Sequence, residues 1–340
     1  MLKFFTVIGA DITGVEIKKG VKKDGCSPPE PKSSGGLFIL GKFQTEDEMG
    51  KGLFKPVLMI LILIFAAVAT VQAGSPQPED GKTGILLVTF GTTFSEAQAA
   101  FDNVETEIKA AFADTTIKWA YTSEMIRDKM AQQGKTALSP SQALEEMAEQ
   151  GFTKIFVQSL HTIAGYEYHD LVKTVRMFEH NSGGVEKITI TGPLLAAPED
   201  MAKAARAIRE TIPEERASNE AVVLLGHGTH HPSNAAYPAL MWRLQRDDKN
   251  IFIGTVEGYP GPDVILEQLE KNNISTAWLM LFMSVAGDHA RNDMAGDDKD
   301  SWKSVFEAAG IECKPVLKGF AEYDPFVDIW VSQLQTAMDQ

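Results

Sequence analysis

The chain has 340 residues, with 46 Asp or Glu against 32 Lys or Arg, and its formal net charge is −14. So acidic a composition argues against binding to nucleic acid or to anionic lipid, because their negative charges repel it. One of the two cysteines lies near the N terminus, which leaves Cys313 alone in the rest of the chain, so no internal disulfide is expected there.

The N-terminal segment has the layout of a secretory signal peptide. An apolar run of about 15 residues, 57–71, follows Lys51 and Lys55, and Ala73 closes a small-residue cleavage pattern. The run has the length of a signal-peptide core and is short for a membrane-spanning helix. We therefore predict a signal peptide over residues 49–73, cleavage near Ala73, a periplasmic location and no stable membrane anchor after cleavage. An uncleaved anchor is the alternative.

Upstream of this segment, residues 1–48 show no periodic pattern and are rich in Gly, Lys, Pro and Ser. A signal peptide begins near its own initiator, so Met49 is the expected start. Residues 1–48 are then an over-extended translation, with a disordered N-terminal extension as the alternative. The remaining residues 74–340 carry 23 Lys or Arg against 39 Asp or Glu, a net charge of −16.

Strand-like and helix-like patterns alternate along the rest of the chain. Strands are expected near Gly84–Phe90, Ile117–Tyr121, Lys154–Leu160, Lys187–Thr191, Ala221–Leu225, Ile251–Val256, Thr276–Met283 and Cys313–Val316. Helices are expected over Ser95–Phe112, Ser141–Gln150, Tyr168–His180, Pro198–Thr211, Pro238–Arg246, Pro262–Lys271, Asp300–Ala309 and Asp324–Met338. Such alternation predicts an α/β fold with parallel sheets and right-handed crossovers.

The eight strands divide into four and four at a polar stretch that begins with a proline, residues 212–220. We predict an N-terminal α/β domain over 83–212 and a similar C-terminal α/β domain over 220–322. Each has a four-stranded parallel sheet flanked by helices, and an active-site cleft lies between the two domains. A final helix within 323–340 is expected to pack back on the first domain.

Two histidines follow strands of the second half and point to a metal site. His227 comes just after the strand that ends at Leu225, and His289 follows the Met/Leu-rich strand that begins at Thr276. Ligands bind at the carboxyl ends of the strands in open α/β sheets, and neutral imidazole is the commonest protein ligand of transition metals. Glu257, at a third strand end, completes a candidate set of two nitrogens and one oxygen. In the alternative interpretation, the histidines orient loops and Glu257 is an acid at a helix N terminus.

The first half contributes further candidates. Glu167 follows the strand that ends at Leu160 and is expected to face the two histidines across the cleft, with a first-turn helix acid as the alternative. His161, at the same strand end, is interpreted as a structural histidine. Gly91 and Thr92, after the first strand, offer backbone N–H groups and a hydroxyl to an anion. The chain lacks the lysine and glycine spacing of nucleotide-binding loops, so no nucleotide is expected.

Several segments match a known family. They are Val88-Thr89-Phe90-Gly91-Thr92, Gln158-Ser159-Leu160-His161 with Gly165 and Glu167-Tyr168, Gly226-His227-Gly228, Val256-Glu257 with Tyr259-Pro260, Val285-Ala286-Gly287-Asp288-His289-Ala290, Asn292-Asp293-Met294-Ala295, Asp297-Asp298 and Asp300-Ser301-Trp302-Lys303. On these segments, the chain from about Thr83 onward resembles the class II tetrapyrrole chelatases, and among them the anaerobic-type cobalt chelatases that act on sirohydrochlorin.

The resemblance implies a tetrapyrrole in the cleft, and a metal-binding and catalytic role for His227, His289 and Glu167, with Glu257 as a further ligand. The implied reaction is ATP-independent insertion of Co²⁺ into sirohydrochlorin, with release of the pyrrole protons. Fe²⁺ is possible, since a site with two imidazoles and one carboxylate accepts both metals. Because the substrate carries many carboxylates, Arg291 is expected to assist Gly91 and Thr92 in binding it.

Two features depart from the family that the chain resembles. The relatives that make vitamin B12 are typically cytoplasmic, whereas this chain is predicted to be exported. The alternative function is therefore a periplasmic carrier of metal, tetrapyrrole or haem with the chelatase fold.

His169 stands where the relatives are expected to have an acidic residue. An exposed neutral histidine can bind haem iron, so His169 is a candidate axial ligand of a haem b shared by two copies in a homo-oligomer, with apolar cover from Leu171, Val172, Val175 and Met177.

Overall fold

A computed structural model describes residues 81–181 and 184–340. The predicted signal peptide, the preceding segment and its cleavage site lie outside the described residues. Among the residues that are described, no helix is both long enough and apolar enough to cross a membrane.

Strands and helices alternate in both halves of the described chain. The first half contains β1 (Lys82–Thr89), α1 (Gln98–Ala111), β2 (Thr116–Tyr121), α2 (Glu124–Gln132), α3 (Pro140–Glu149), β3 (Phe152–Ser159), α4 (Tyr166–Asn181), β4 (Lys187–Ile190) and α5 (Pro198–Thr211). The second half contains β5 (Ala221–Gly226), α6 (Ala236–Gln245), β6 (Ile251–Thr255), α7 (Pro262–Lys271), β7 (Thr276–Leu281), α8 (Trp302–Ala308), β8 (Glu312–Val316) and α9 (Asp324–Met338).

Each half forms one four-stranded sheet in which every pairing is parallel. The strand order is β2-β1-β3-β4 in the first sheet and β6-β5-β7-β8 in the second. The identical order supports the interpretation of two related α/β units, and the predicted fold class is confirmed. In both sheets the chain changes direction across the sheet at the central strand, which creates a crevice at the carboxyl ends of two neighbouring strands.

Burial accounts for the strands that the sequence indicates most clearly. All six residues of β5 are buried, because parallel sheets are covered by helices on both faces. In contrast, α2 has no buried residue. The sequence pattern did not predict this helix, since it lacks the apolar stripe by which a surface helix is recognised.

The two halves share one hydrophobic core. Its buried residues come from α1, α5, α6 and the central strands of both sheets, and they include Trp330 and Phe326 of α9. The C-terminal helix α9 packs against α1 and α5 of the first half, although it follows the second half in sequence. The continuous core fixes the two sheets against each other, and so fixes the loops that face the cleft.

Candidate metal centre

The loops at the carboxyl ends of the two sheets enclose a cavity of about 500 Å³. The first half lines it with residues 90–94, Met125, Ile126, Lys129, residues 160–163, Gly165, Glu167 and Tyr168. The second half lines it with residues 227–229, Tyr237, Glu257, residues 283–285 and residues 287–289. The cavity therefore lies where the crevices of both sheets meet.

His227 is held by a tight turn directly after β5. Its Nδ1 donates a hydrogen bond to the carbonyl oxygen of Gly228 over 3.0 Å, which leaves Nε2 available to a ligand. Gly228 has a φ of +81°, and a Cβ there would lie 2.6 Å from the backbone nitrogen of Gly258. The turn thus requires glycine, both for its conformation and for the close approach of the neighbouring loop.

Glu257 reaches the same place from the end of β6. Its backbone N–H donates to the carbonyl oxygen of His227 over 2.8 Å, so that parallel pairing continues beyond the strands. Its carboxylate oxygen lies 3.8 Å from Nδ1 of His227, and its side chain is 55% exposed. The backbone of Glu257 is therefore fixed, while the carboxylate is free to adjust to a ligand.

His289 is oriented by a carboxylate within its own segment. Its Nδ1 lies 2.7 Å from Oδ2 of Asp293, four residues later on a single π-helical turn, Ala290–Met294. A carboxylate that accepts a hydrogen bond from Nδ1–H fixes the tautomer of the imidazole and leaves Nε2 with the lone pair that binds metal. Sequence reasoning did not identify this role of Asp293, because it depends on the π-helical turn.

The three side chains of His227, Glu257 and His289 form one cluster. One ligand atom from each lies within 4.8 Å of the others, and the two imidazole rings meet nearly at right angles with centroids 4.8 Å apart. Protein ligands of a divalent metal lie about 2.0–2.2 Å from it, so a metal ion between them needs only small side-chain movements. Within the described part of the chain, this is the one group of three such ligands.

Glu167 and His161 both line the cavity from the first half, but Glu167 is exposed to solvent whereas His161 is hydrogen-bonded within the protein. Glu167 is exposed at the start of α4, with its carboxylate open to solvent. Nδ1 of His161 is hydrogen-bonded to Oγ of Ser159 over 2.9 Å. Burial lowers the pKa of His161 to about 4. His161 therefore stays neutral at physiological pH, in agreement with its interpretation as a structural histidine.

Tyr237 joins the two halves beneath the cavity, and the sequence did not indicate it. Its ring is buried in the core that both halves share, and its hydroxyl lies near the backbone of Gly228 and the side chain of Thr162. Burial raises the pKa of Tyr237 to about 12, so the phenol stays protonated and is not a base. We interpret it as the residue that fixes the loop of His227 against the first half.

The other predicted site residues lie at different distances from the cavity. Gly91 and Thr92 line it, although the Thr92 hydroxyl already accepts a hydrogen bond from the backbone of Phe94 over 3.2 Å. Arg291 is not among the lining residues; its guanidinium lies 5.4 Å from the ring centroid of Phe94, which does line the cavity. Arg291 therefore lies beside a residue that lines the cavity, and its expected role in binding the substrate stays a prediction.

His169 also lies outside the cavity. It is exposed on α4, and its ring centroid lies 5.0 Å from that of His231. Two of the four residues expected to give apolar cover beside it, Leu171 and Val175, are buried in the core of the first half and do not face outward. Only Val172 and Met177 remain for that role.

Comparison with known proteins identifies relatives over the whole described region. The cobalt chelatase (CbiK) family matches residues 83–339. The chain is 40% identical over 257 residues to the sirohydrochlorin cobaltochelatase CbiKC of Nitratidesulfovibrio vulgaris, covering 76% of this chain and 91% of that protein. It is 35% identical over 260 residues to the sirohydrochlorin cobaltochelatase of Salmonella typhimurium, covering 76% of this chain and 97% of that protein.

Solved structures share the fold at lower identity. SirB from Bacillus subtilis, determined with Fe³⁺, is 18% identical, with a TM-score of 0.52 over 76% of this chain and 96% of that chain. The sirohydrochlorin chelatase SirB from Bacillus subtilis subspecies spizizenii, in complex with cobalt, is 14% identical, with a TM-score of 0.50 over the same shares. At these identities the likeness extends to the fold alone.

The contact between Asp293 and His289 generates a prediction about metal affinity. Replacing Asp293 by Asn removes the carboxylate that orients the imidazole, so Co²⁺ should bind about 10–100-fold more weakly, as is typical for loss of such a partner. Isothermal titration calorimetry measures the affinity. Asp297→Asn, in the same segment but fully exposed, is the matched control and should bind Co²⁺ like the wild type. Equal affinities in all three proteins would exclude this role for Asp293.

The low pKa of His161 predicts a specific loss of stability in acid. In the unfolded chain His161 binds a proton below about pH 6.5, whereas in the folded protein it does so only below about pH 4. The free energy of unfolding therefore falls as the pH drops through this range. The loss from this one group between pH 7 and pH 5 is about 2 kcal/mol. Urea unfolding at both pH values should show a smaller loss in His161→Asn than in the wild type.

The control for this measurement is His180→Asn, at an exposed position near the end of α4, which should retain the full acid loss. A His161→Asn variant that loses as much stability as the wild type would show that the pH dependence arises elsewhere.

Proposed function

The chain belongs to the cobalt chelatase (CbiK) family, and from this membership we infer that it inserts a divalent metal ion into sirohydrochlorin. The observation that carries the inference is the convergence of His227, Glu257 and His289 on one wall of a cavity between two halves. Three protein ligands that leave coordination positions open suit a metal that must be passed on to another molecule.

The cavity has walls suited to a flat macrocycle. Phe90, Met125, Leu160 and Ile163 line it with apolar surface, while the polar ligand cluster lies on the opposite half. Apolar walls with a few convergent polar groups are typical of small-molecule sites. We propose that the macrocycle lies between the halves, with its pyrrole nitrogens facing the metal ligands.

The reaction exchanges one metal ion for two protons. Neutral Nε2 atoms of His227 and His289, with the carboxylate of Glu257, hold the divalent ion as substrate. The macrocycle loses two pyrrole N–H protons as its nitrogens replace the protein ligands, and the charges balance. Glu167 lines the cavity from the first half and is open to solvent, so it can accept these protons and release them to water. The proposed reaction uses no ATP.

The carboxylates of the substrate need local positive charge, because the chain as a whole repels them. Lys129 of α2 is the one lysine or arginine among the cavity-lining residues that the structure describes. We propose that Lys129 binds a peripheral carboxylate of the macrocycle, assisted by the backbone N–H groups near Gly91 and Thr92. Arg291, which lies beside Phe94, is a further candidate for this role.

Co²⁺ is the favoured metal because the relatives at 40% and 35% identity are named cobaltochelatases. Fe²⁺ remains an alternative, since two nitrogens and one oxygen bind both ions and affinity order does not decide the choice in a cell. A carrier of metal or tetrapyrrole is the alternative function, favoured only by the predicted export segment. Turnover separates the two: an enzyme releases many product molecules per chain, and a carrier releases at most one.

We propose that the protein is located in the periplasm. This location is inferred from the apolar run 57–71 and from the cleavage pattern near Ala73. Cell fractionation with sequencing of the mature N terminus addresses it, and a cytoplasmic protein with an uncleaved N terminus would contradict it.

The metal ligands generate the main functional prediction. His227→Ala and His289→Ala each remove one of three ligands, so the rate of Co²⁺ insertion into sirohydrochlorin should fall at least 100-fold. The Soret and visible absorption of the product measures the rate. His230→Ala, an exposed histidine in the same loop as His227, is the matched control and should retain wild-type turnover.

Two further protein variants in the same assay should distinguish residues that bind the substrate from residues that take part in the chemical step. Lys129→Gln should raise KM for sirohydrochlorin and leave kcat unchanged, while Glu167→Gln should lower kcat. Wild-type turnover in both histidine variants would show that the metal is held elsewhere.

We further propose that His169 binds haem between two copies of the chain. The imidazole is exposed, and a histidine at a surface helix can serve as an axial ligand. Protein purified from a haem-replete host should show a Soret band that disappears in His169→Ala while metal insertion continues. Absence of the band, or a band unchanged in the variant, would contradict the proposal.

A further inference from the structure

A second cavity, of about 220 Å³, has an unusual concentration of arginine. The whole chain contains eight arginines, and four of them line this cavity: Arg206, Arg209, Arg243 and Arg246. Its remaining walls are Ala202, Ala205 and Asp247. Half of the arginines in an acidic protein therefore surround one small space.

Packing of α5 against α6 creates this concentration. Ala204 and Ala205 of α5 and Leu240 and Leu244 of α6 belong to the same buried core, and the small alanines let the helices approach closely. Arg206 and Arg209 lie three residues apart on α5, and Arg243 of α6 lies three residues before Arg246, which directly follows that helix and keeps a helical backbone conformation. Each pair therefore shares one face, and like charges so placed repel each other.

Internal groups offset only part of the charge. Arg209 forms an ion pair with Asp247 over 3.1 Å. Each helix C terminus contributes about half a negative charge, so the ends of α5 and α6 together offset about one unit more. About two of the four positive charges are left without compensation, and within the described residues Arg206, Arg243 and Arg246 form no ion pair.

The cavity is separate from the metal centre. None of its lining residues lines the larger cavity. Both helices begin near the carboxyl ends of the strands, and their axes rise about 1.5 Å per residue, which places Arg206 and Arg243 about 10–12 Å along the helices from the cleft. One helix belongs to each half, so a ligand in this cavity would contact both halves.

We propose that this cavity binds a small anion with at least two negatively charged oxygen groups, of the phosphate or carboxylate type. The planar guanidinium group binds such oxygens with two parallel hydrogen bonds, which lysine cannot do. The two negative charges of a dianion match the roughly two uncompensated positive charges of the arginines. Such an anion can contact arginines from both sides of the cavity. The binding of this anion does not depend on the proposed metal insertion.

Calorimetric titration with diphosphate and with citrate tests the proposal. Wild-type protein should bind at least one of them with saturation below about 1 mM at low salt, and more weakly as salt rises. Arg206→Ala/Arg243→Ala removes one unpaired arginine from each helix and should weaken binding at least tenfold. Arg206→Lys/Arg243→Lys keeps the charge but loses the paired hydrogen bonds, and its affinity should lie between the two.

Two control proteins locate the binding. Arg176→Ala/Lys135→Ala removes the same charge from two exposed positions elsewhere and should retain wild-type affinity. His227→Ala, altered in the metal centre, should also retain it. The arginine variants should insert Co²⁺ at the wild-type rate in the absence of added anion, which separates this test from that of the function.

The two anions distinguish a phosphate site from a carboxylate site, and either result supports the proposal. Absence of saturable binding to both would overturn it, as would an equal loss of affinity in the charge-matched control. If sedimentation shows that the double alanine variant instead dissociates an oligomer, while no anion binds, the arginines form an interface with a second copy and the proposal is wrong.

Discussion

The candidate metal centre depends on the position of β5 between β6 and β7. Because all three strands are parallel, their carboxyl ends emerge side by side, and each is followed by one of the ligands His227, Glu257 and His289. Backbone pairing continues past the strand ends, where Glu257 N–H donates to the carbonyl oxygen of His227. Backbone hydrogen bonding therefore positions His227 and Glu257, whereas Asp293 orients His289, and the first half completes the site by covering it.

Charge has opposite consequences for the two substrates of the proposed reaction. A net charge of −16 over residues 74–340 attracts a divalent cation and repels a macrocycle with many carboxylates. Long-range attraction can therefore supply the metal, whereas the tetrapyrrole requires local contacts such as Lys129 and backbone N–H groups. The arginine cavity between α5 and α6 is a second local exception to the acidic surface, at a distance from the cleft.

Much of this arrangement could be predicted from residue order. The alternation of strands and helices follows from short-range burial patterns, and the observed bounds of α5, α7 and α9 equal the predicted ones. The three ligand positions follow from the rule that parallel sheets bind ligands at their carboxyl ends. Strands that were predicted one or two residues too long, such as β7, are followed by apolar residues that belong to the loops. The helix α2 was missed, since none of its residues is buried.

The sequence by itself thus determined the fold class, the positions of the strands to within one or two residues, and the three metal-ligand candidates, because these depend on local periodicity and on chemistry at a single position. Only the tertiary structure decided which groups meet. It placed Asp293 against His289, buried Tyr237 near Gly228 and Thr162, brought Arg291 beside Phe94, and gathered four arginines around one cavity. Such contacts join residues whose separation in sequence carries no periodic signal, and they are set by how helices and sheets pack.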